Sequence, residues 1–196
     1  MLINIDNINQ TLQEKERKGF VFSENEGENE TLIIPRKQSL IDAFGTLEKN
    51  KNYHFATAGR WSQYEVLNFI LAQTGPADVY LTTWKINDLS ANNIFNLVKD
   101  GVILNLFTVL EKRIPITSPT AKDTIVTNAT NHLIADNHSK VIVVINDEWK
   151  VSVNGSANMT INPRIEAGVL STVESVADFH KKWILNEINN GDTFHK

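Results

Sequence analysis

Residues 138–158 read HSKVIVVINDEWKVSVNGSAN and predict an apolar β-hairpin with polar groups at both ends. The run of Val and Ile over 141–145 does not alternate with polar residues, which is typical of a strand covered on both faces. The segment KVSVN at 150–154 does alternate, so we expect the returning strand to be half exposed or near a sheet edge. Such a hairpin brings the residues before its first strand beside the residues after its second.

The residues that flank the hairpin can bind an anion. His138 and Lys140 lie two positions apart, so on a strand both side chains would point to the same face, where burial is costly without a charge partner. A phosphate would supply that partner. Gly155 lets backbone approach an anion, and the hydroxyl of Ser156 and the carboxamide of Asn158 can donate hydrogen bonds to it. Chance spacing is the alternative for either half, but the two halves together favour a phosphate site.

The chain before this hairpin alternates between predicted strands and helices. Strands are predicted at 53–59, 78–84 and 102–110. The capping box of Ser62 and Glu65 begins one of the helices between them. This order predicts an α/β fold in which a mixed β-sheet is sandwiched between helices.

The first 50 residues follow a less regular pattern. One short strand is predicted at 31–35, after an acidic segment at 23–30 that is typical of an exposed loop. We therefore assign residues 1–50 to an N-terminal extension of unknown role and residues 51–196 to the domain.

The length, charge and cysteine count of the chain exclude several classes of protein. The 196 residues carry a net charge of −4 and contain no cysteine. This length suits one well-buried domain, and the charge gives no sign of the broad basic surface of a nucleic-acid coat protein. The lack of cysteine excludes disulfides, thiolate catalysis and zinc–thiolate sites. The sequence has no signal-peptide pattern and no membrane-spanning apolar run, so we expect a cytoplasmic protein without stable membrane association.

The flanking residues of the hairpin also resemble a known family motif. HSK, the apolar hairpin and GSANMT look like the HKD motif of the phospholipase D superfamily, H-x-K-x4-D-x6-G-S-x-N. The downstream NPRIEAGVL fits as well, because the family carries a glutamate at the start of the next core strand, which is Glu166 here. The resemblance covers residues 53–190 and implies the α-β-α fold of the superfamily, in its single-motif, nuclease-like branch.

One position departs from the motif. The aspartate of the family falls on Ile145, and the glycine comes three residues later than in the pattern, with Asn146, Asp147 and Glu148 at the turn. Asp147 could replace the missing carboxylate only if the strand shifted or bulged. In the family this aspartate supports the site, so its loss affects efficiency more than identity.

The resemblance implies a catalytic role for each remaining motif residue. His138 would attack phosphorus and form a phosphohistidine intermediate. Lys140 and Asn158 would hold the non-bridging oxygens and stabilise the charge of the transition state. Ser156 would add a hydroxyl to this cradle, and Glu166 would hydrogen-bond the second nitrogen of His138 and fix its tautomer. None of these steps needs a metal or another cofactor.

This mechanism uses two histidines, one as nucleophile and one as acid to the leaving group. The chain has one complete motif. His180-Lys181-Lys182 also matches H-x-K, but it lies on a predicted amphipathic helix with no G-S-x-N after it, so we interpret it as a solvated helix face. The resemblance therefore implies a homodimer that pairs two copies of His138 across a two-fold axis.

A metal site is the alternative reading of one cluster. His132, Asp136 and His138 have spacings that a metal site can use. The sequence offers no visible fourth ligand, and the HKD motif already accounts for His138.

Other residues are assigned to substrate binding. Arg60 comes just before a predicted helix N-terminus, a place that favours anions, although a salt bridge is its alternative. Gly155 and Arg164 complete this set. Trp84 ends a predicted strand and would face the same cleft, with a core position as the alternative.

The resemblance also bears on the substrate. The superfamily includes nucleases, lipid hydrolases, phosphatidyl transferases and polyphosphate kinases, and a compact single-motif chain resembles its small bacterial nucleases. We therefore expect a phosphodiesterase that acts on nucleic acid, with local positive charge from Lys112, Arg113, Lys122 and Arg164. The alternatives are a phospholipid phosphodiesterase and a non-catalytic nucleic-acid-binding module on the same scaffold.

Overall fold

The computed structural model of the chain describes residues 28–33, 39–57 and 61–191. Eight strands and six helices lie within these residues. The strands are β1 Glu28–Ile33, β2 Lys51–Thr57, β3 Ala77–Thr83, β4 Ile103–Glu111, β5 Asn131–Ala135, β6 Val141–Ile145, β7 Lys150–Gly155 and β8 Glu166–Ser171. The helices are α1 Leu40–Phe44, α2 Gln63–Thr74, α3 Asp88–Lys99, α4 Ile114–Thr117, α5 Pro119–Asn128 and α6 Glu174–Asn190.

All eight strands form one mixed sheet in the order β1-β2-β8-β7-β6-β3-β4-β5. The outer pairs are parallel, β1 with β2 at one side and β3, β4 and β5 at the other. The central strands from β2 through β8, β7 and β6 to β3 pair antiparallel. Helices follow β1, β3 and β4, because each of these strands is parallel to the next strand in the chain and parallel neighbours need a crossover connection.

Helices cover the two faces of the sheet. On one face α6 packs across β3 to β7, and its Ala177 and Ile184 join Tyr80 and Val143 in a compact apolar cluster. On the other face α1, α2, α3 and α5 enclose the larger core. The prediction of a mixed sheet sandwiched between helices is therefore confirmed.

The hairpin predicted within residues 138–158 is present as β6 and β7. Strand β6 is buried on both faces, with Ile142 in the larger core and Val143 in the cluster under α6. Each such side chain contributes about 1.5–3 kcal/mol by leaving water. The expectation that β7 is half exposed or near an edge is wrong. Strand β7 lies between β6 and β8, and Val151, Ser152 and Val153 are buried.

The described part of residues 1–50 joins the same sheet and core. Strand β1 begins three residues earlier than predicted, inside the acidic segment, and pairs in parallel with β2 at the edge of the sheet. Phe44 of α1 contacts the rings of Tyr53, Phe55 and Trp61. The division at residue 50 stays a prediction, but these two elements extend the sheet and help to close its core.

No helix within the described residues is both long and apolar enough to cross a membrane.

Candidate active site

An open groove of about 820 Å³ lies where β6 begins and β7 ends. His138 and Lys140 line it from the β6 side, and Gly155 and Ser156 line it from the β7 side. Its other lining residues come from the same strand ends and from β2 and β8: His54, Phe55, Ala56, Ser139, Val141, Asn154, Ala167, Gly168 and Val169. The groove thus brings together both halves of the predicted site, while the catalytic roles of these residues stay predictions.

The loop that carries His138 is fixed by the buried side chain of Asn137. Its Nδ2 donates to the carbonyls of Thr83 (3.2 Å) and Val109 (3.1 Å), at the ends of two neighbouring strands. Its Oδ1 accepts from the backbone N–H of Ser139 (3.0 Å) and from the Ser139 hydroxyl. The backbone N–H of Asn137 donates to the buried carboxylate of Glu111 at 2.7 Å. The exposed His138 therefore stands on a rigid turn.

Lys140 is buried beside the nucleophile candidate. Lys140 is only 8% exposed, and its Nζ donates to the backbone carbonyl of His138 at 2.6 Å. Burial lowers the pKa of Lys140 below its usual value, and the nearby carboxylate of Glu166 opposes this shift. An ammonium has three donors, so Lys140 can hold the His138 backbone and still donate to a bound oxyanion.

Trp84 packs against both of these residues. Its ring meets the His138 imidazole edge to face, with centroids 5.6 Å apart, and the Nζ of Lys140 lies 5.9 Å from its ring centroid. The half-buried Trp84 follows β3, whose end neighbours the start of β6. The core alternative for Trp84 is therefore wrong, and the indole forms a wall beside the imidazole.

The hydroxyl of Ser156 is engaged by protein groups. It donates to Oε2 of Glu166 and accepts from the backbone N–H of Ala167 at 3.0 Å. The other carboxylate oxygen of Glu166 accepts from Asn162 Nδ2 at 3.3 Å. In the described chain Glu166 thus orients Ser156, and the predicted bond from Glu166 to His138 is not formed.

Gln63 joins the two halves of the motif. This residue is 2% exposed at the start of α2, and its Nε2 donates to the carbonyl of Lys140 at 2.9 Å. Its backbone N–H donates to the carbonyl of Asn158 at 3.0 Å. The side-chain oxygens of Gln63 and Asn158 are buried without a hydrogen-bond partner among the described residues. Gln63 was not predicted as a site residue from the sequence, because it lies inside the capping box that begins the helix.

Gly155 serves the contact between strands. It lies opposite Gly168 in the β7–β8 register, and a Cβ at Gly155 would stand 2.7 Å from the carbonyl oxygen of Ala167. Its N–H donates to the carbonyl of Lys140 at 3.3 Å. The glycine is therefore needed for close approach of backbone to backbone, and its assignment to substrate binding stays a prediction.

Asp147 does not replace the missing motif aspartate at the site. The β6–β7 register runs without a bulge from Val141–Asn154 to Ile145–Lys150. Asp147 is therefore exposed in the turn at the opposite end of the hairpin from His138. Ile145 is half buried and packs against the cluster under α6.

Three of the basic residues expected around the groove lie against carboxylates instead. Lys112 pairs with Asp136 at 2.6 Å, and Lys122 pairs with Asp123. Arg113 lies 3.8 Å from Glu111, and none of these three cations lines the groove as the described residues define it.

One further predicted substrate-binding residue lies apart from the described groove. Arg164 is exposed on the loop before β8, two residues from Glu166. Arg60 lies outside the described residues. The binding roles of both stay predictions.

The histidines of the two other sequence patterns have protein neighbours. Asp136 is ion-paired with Lys112, and no three His, Asp or Glu side chains in the described parts of the chain come close enough to hold a metal. His180 accepts from Trp183 Nε1 at 3.0 Å on α6, and burial lowers its pKa. It is a packed helix residue, which corrects the expectation of a solvated face.

No protein-family model matches the sequence, and curated proteins include no similar sequence. Three solved structures are similar in fold. Nuc from Salmonella typhimurium, a phospholipase D family member, is 15% identical, with 69% of this chain and 95% of Nuc covered at a TM-score of 0.50. NucT from Helicobacter pylori is 12% identical, with 69% and 94% covered, also at 0.50. The archaeal chromatin protein TrmBL2, which shows a novel mode of DNA binding, is 12% identical, with 74% and 54% covered at 0.50. At these identities the likeness shows the fold.

Proposed function

We propose that this chain, which has the fold of the phospholipase D superfamily, is a metal-independent phosphodiesterase that acts on nucleic acid through a phosphohistidine intermediate. One observation supports this proposal above the others. His138, Lys140 and Ser156 line one groove, although they come from opposite ends of the hairpin sequence. Gln63 ties the fourth polar residue, Asn158, to the backbone of Lys140.

In the first step a ring nitrogen of His138 attacks the phosphorus of a bound diester. A nitrogen–phosphorus bond forms, the bond to the leaving oxygen breaks, and that oxygen takes a proton from an acid. Lys140 and Asn158 donate to the non-bridging oxygens as charge develops on them. Trp84 holds the attacking ring edge to face, and the rigid turn of Asn137 limits its movement.

In the second step water attacks the phosphohistidine. The same acid, now a base, takes a proton from the water, the nitrogen–phosphorus bond breaks, and a phosphomonoester leaves. His54 is the other histidine that lines the groove, but it lies across three strand spacings, or about 14 Å, from the β6 strand end. It is too far to share one phosphorus with His138. A second copy of the chain, with its own His138, supplies the acid across a two-fold axis.

Nucleic acid is the proposed substrate because the structural relatives include Nuc and a DNA-binding chromatin protein. The lining of the groove also suits a phosphodiester. It contains lysine, histidine, serine and asparagine side chains and no Asp or Glu among the described residues.

The test is cleavage of single-stranded and duplex DNA in EDTA by the purified chain, beside a His138→Asn variant. Cleavage that survives chelation and is lost in the variant supports the proposal. Activity that EDTA abolishes, or that the variant retains, contradicts it. A His132→Asn variant is the matched control, because His132 is an exposed histidine on β5 outside the groove.

A non-catalytic nucleic-acid-binding module is the second candidate. It is favoured by Ile145 at the motif aspartate position and by the similar fold of TrmBL2. DNA binding without cleavage, by the wild-type chain and by His138→Asn alike, would support this candidate.

A further inference from the structure

The groove at the candidate active site is larger than one phosphodiester requires. Its volume of about 820 Å³ falls near the upper end of ordinary ligand sites. His138, Lys140 and Ser156 occupy only the end formed by β6 and β7. From there the groove continues over β8 to Ala56 and His54 on β2.

Strand register aligns the residues of this continuation in one row. Val141 of β6 is opposite Asn154 of β7, Asn154 is opposite Val169 of β8, and Val169 is opposite His54 of β2. Directly opposed residues in adjacent strands lie on the same face of a sheet. With about 4.8 Å between strands, the row is about 14 Å long. That length matches about four nucleotides at the 3.4 Å rise of a stacked strand.

Among the described residues, no helix packs against the β2 and β8 part of this face. Helix α6 packs against β3 to β7 on the same side of the sheet. Asn154 and Ala167 are exposed, and His54 and Val169 are half buried. The imidazole of His54 makes no hydrogen bond within the described residues, and neither does the carboxamide of Asn154. Each side chain can donate one to a phosphate oxygen.

The chemistry of the row suits the backbone of a single strand. Along the row two polar donors, Asn154 and His54, alternate with Val141 and Val169. Ala56 and Ala167, which are paired beside the row, add apolar surface against which sugars and bases can pack. A duplex would need a broad basic surface, but the chain has a net charge of −4, and Lys112 and Lys122 are paired with carboxylates.

We propose that this row is a track for the neighbouring nucleotides of a single-stranded nucleic acid, and that His54 contacts a phosphate two or more nucleotides from the scissile one. The track rests on the proposed function for its substrate class. It adds a binding residue that the HKD motif does not contain, and it makes the length of the strand a determinant of activity.

The test compares a small diester, bis(4-nitrophenyl) phosphate, with single-stranded DNA of two to eight nucleotides, in EDTA. For the wild-type chain kcat/KM rises with length until the track is filled. For His54→Ala the ratio of kcat/KM on the eight-nucleotide strand to kcat/KM on the small diester falls about ten-fold, as expected for one lost bond to a charged group. His132→Ala, an exposed histidine on β5, keeps the wild-type ratio.

Several results would overturn the track. One is no change of kcat/KM on either substrate in His54→Ala. Another is an equal loss of kcat/KM on both substrates, since this also leaves their ratio at the wild-type value. A third is a shift from dimer to monomer in sedimentation when His54 is replaced, since a second copy would then occupy this face. If the wild-type chain cleaves no diester, the proposed function fails and the track is judged by binding. Fluorescence anisotropy of a labelled eight-nucleotide strand is then expected to show weaker binding by His54→Ala than by the wild-type chain. An equal Kd for the two proteins would reject the track.

Discussion

Asn137 and Asn146 hold the two ends of strand β6 by matching hydrogen bonds. Asn137 Nδ2 donates to the carbonyls of Thr83 and Val109, and its Oδ1 accepts two bonds from Ser139. Asn146 Nδ2 donates to the carbonyls of Thr74 and Pro76, and its Oδ1 accepts from the N–H groups of Glu148 and Trp149. One asparagine lies beside His138, and the other lies at the far turn.

These bonds predict that replacement of either asparagine lowers the stability of the chain, but that only replacement of Asn137 lowers its activity. Asn137→Ala and Asn146→Ala should each lower the free energy of unfolding by about 1–3 kcal/mol, because each removes four hydrogen bonds made by the amide side chain. Only Asn137→Ala should also lower kcat, by about ten-fold, because it frees the turn that carries His138. Urea unfolding and turnover, measured where both variants are folded, check this. Equal kcat values in the two variants would count against a rigid His138 turn.

Gln63 should matter for catalysis through the residues that it joins. Gln63→Ala removes the bond to the Lys140 carbonyl, so we expect a loss of about ten-fold in kcat from a misplaced cradle. Gln73→Ala is the matched control, because the Gln73 side chain also hydrogen-bonds backbone groups, the N–H of Leu47 and the carbonyl of Gly45, but at the other end of α2. A loss of kcat in both variants would show that general destabilisation is the cause.

Lys140 should set the alkaline limit of diester binding. Burial lowers its pKa, so the charged form that binds phosphate is lost at a lower pH than for an ordinary lysine. The carboxylate of Glu166 opposes that shift, so in the His138→Asn background Glu166→Gln should move the alkaline rise in Kd to still lower pH. The pH at which Kd for a small diester rises, not its value at neutral pH, is the quantity to measure. A rise at the same or a higher pH with Glu166→Gln would contradict this coupling.

His180 should make the stability of the fold depend on pH. Burial lowers its pKa in the folded chain, whereas an unfolded histidine titrates at about 6.5. As the pH falls below about 6.5, the unfolded state binds a proton that the folded state does not. The contribution of neutral His180 to the free energy of unfolding is therefore complete above that pH and is lost as the pH falls toward the pKa of the folded chain. Protonation of Nδ1 also removes the bond from Trp183.

The free energy of unfolding of the wild-type chain, measured between pH 7.5 and 5.5, should therefore fall more steeply than that of His180→Gln. His132→Gln, which alters an exposed histidine, should follow the wild-type slope. If His180→Gln has the same slope as the wild type, His180 is not the group responsible.

Local patterns in the sequence predicted the hairpin and the sandwich of helices correctly. The unbroken apolar run of β6 can only be buried on both faces, and its polar flanks must then meet at one end. The position of β7 was mispredicted because its alternating residues do not reveal that β8, from eleven residues further along the chain, pairs on its other side.

The residues that support the site were harder to predict. Asn137 and Gln63 act through backbone groups far away in sequence, such as those of Thr83 and Lys140. Their only local signals are the position of Asn137 directly before His138 and the place of Gln63 at the start of a helix. Trp84 was ambiguous because an aromatic residue after a buried strand fits a core and a cleft equally well.

The stereochemistry of cleavage distinguishes a phosphohistidine intermediate from direct hydrolysis. A diester made chiral at phosphorus by sulfur substitution is cleaved in ¹⁸O-water, and the configuration of the product is determined. Attack by His138 followed by attack of water consists of two in-line displacements, so the phosphohistidine mechanism predicts retention of configuration. Inversion would mean that water attacks the diester directly, and the phosphohistidine mechanism proposed for this site would be wrong.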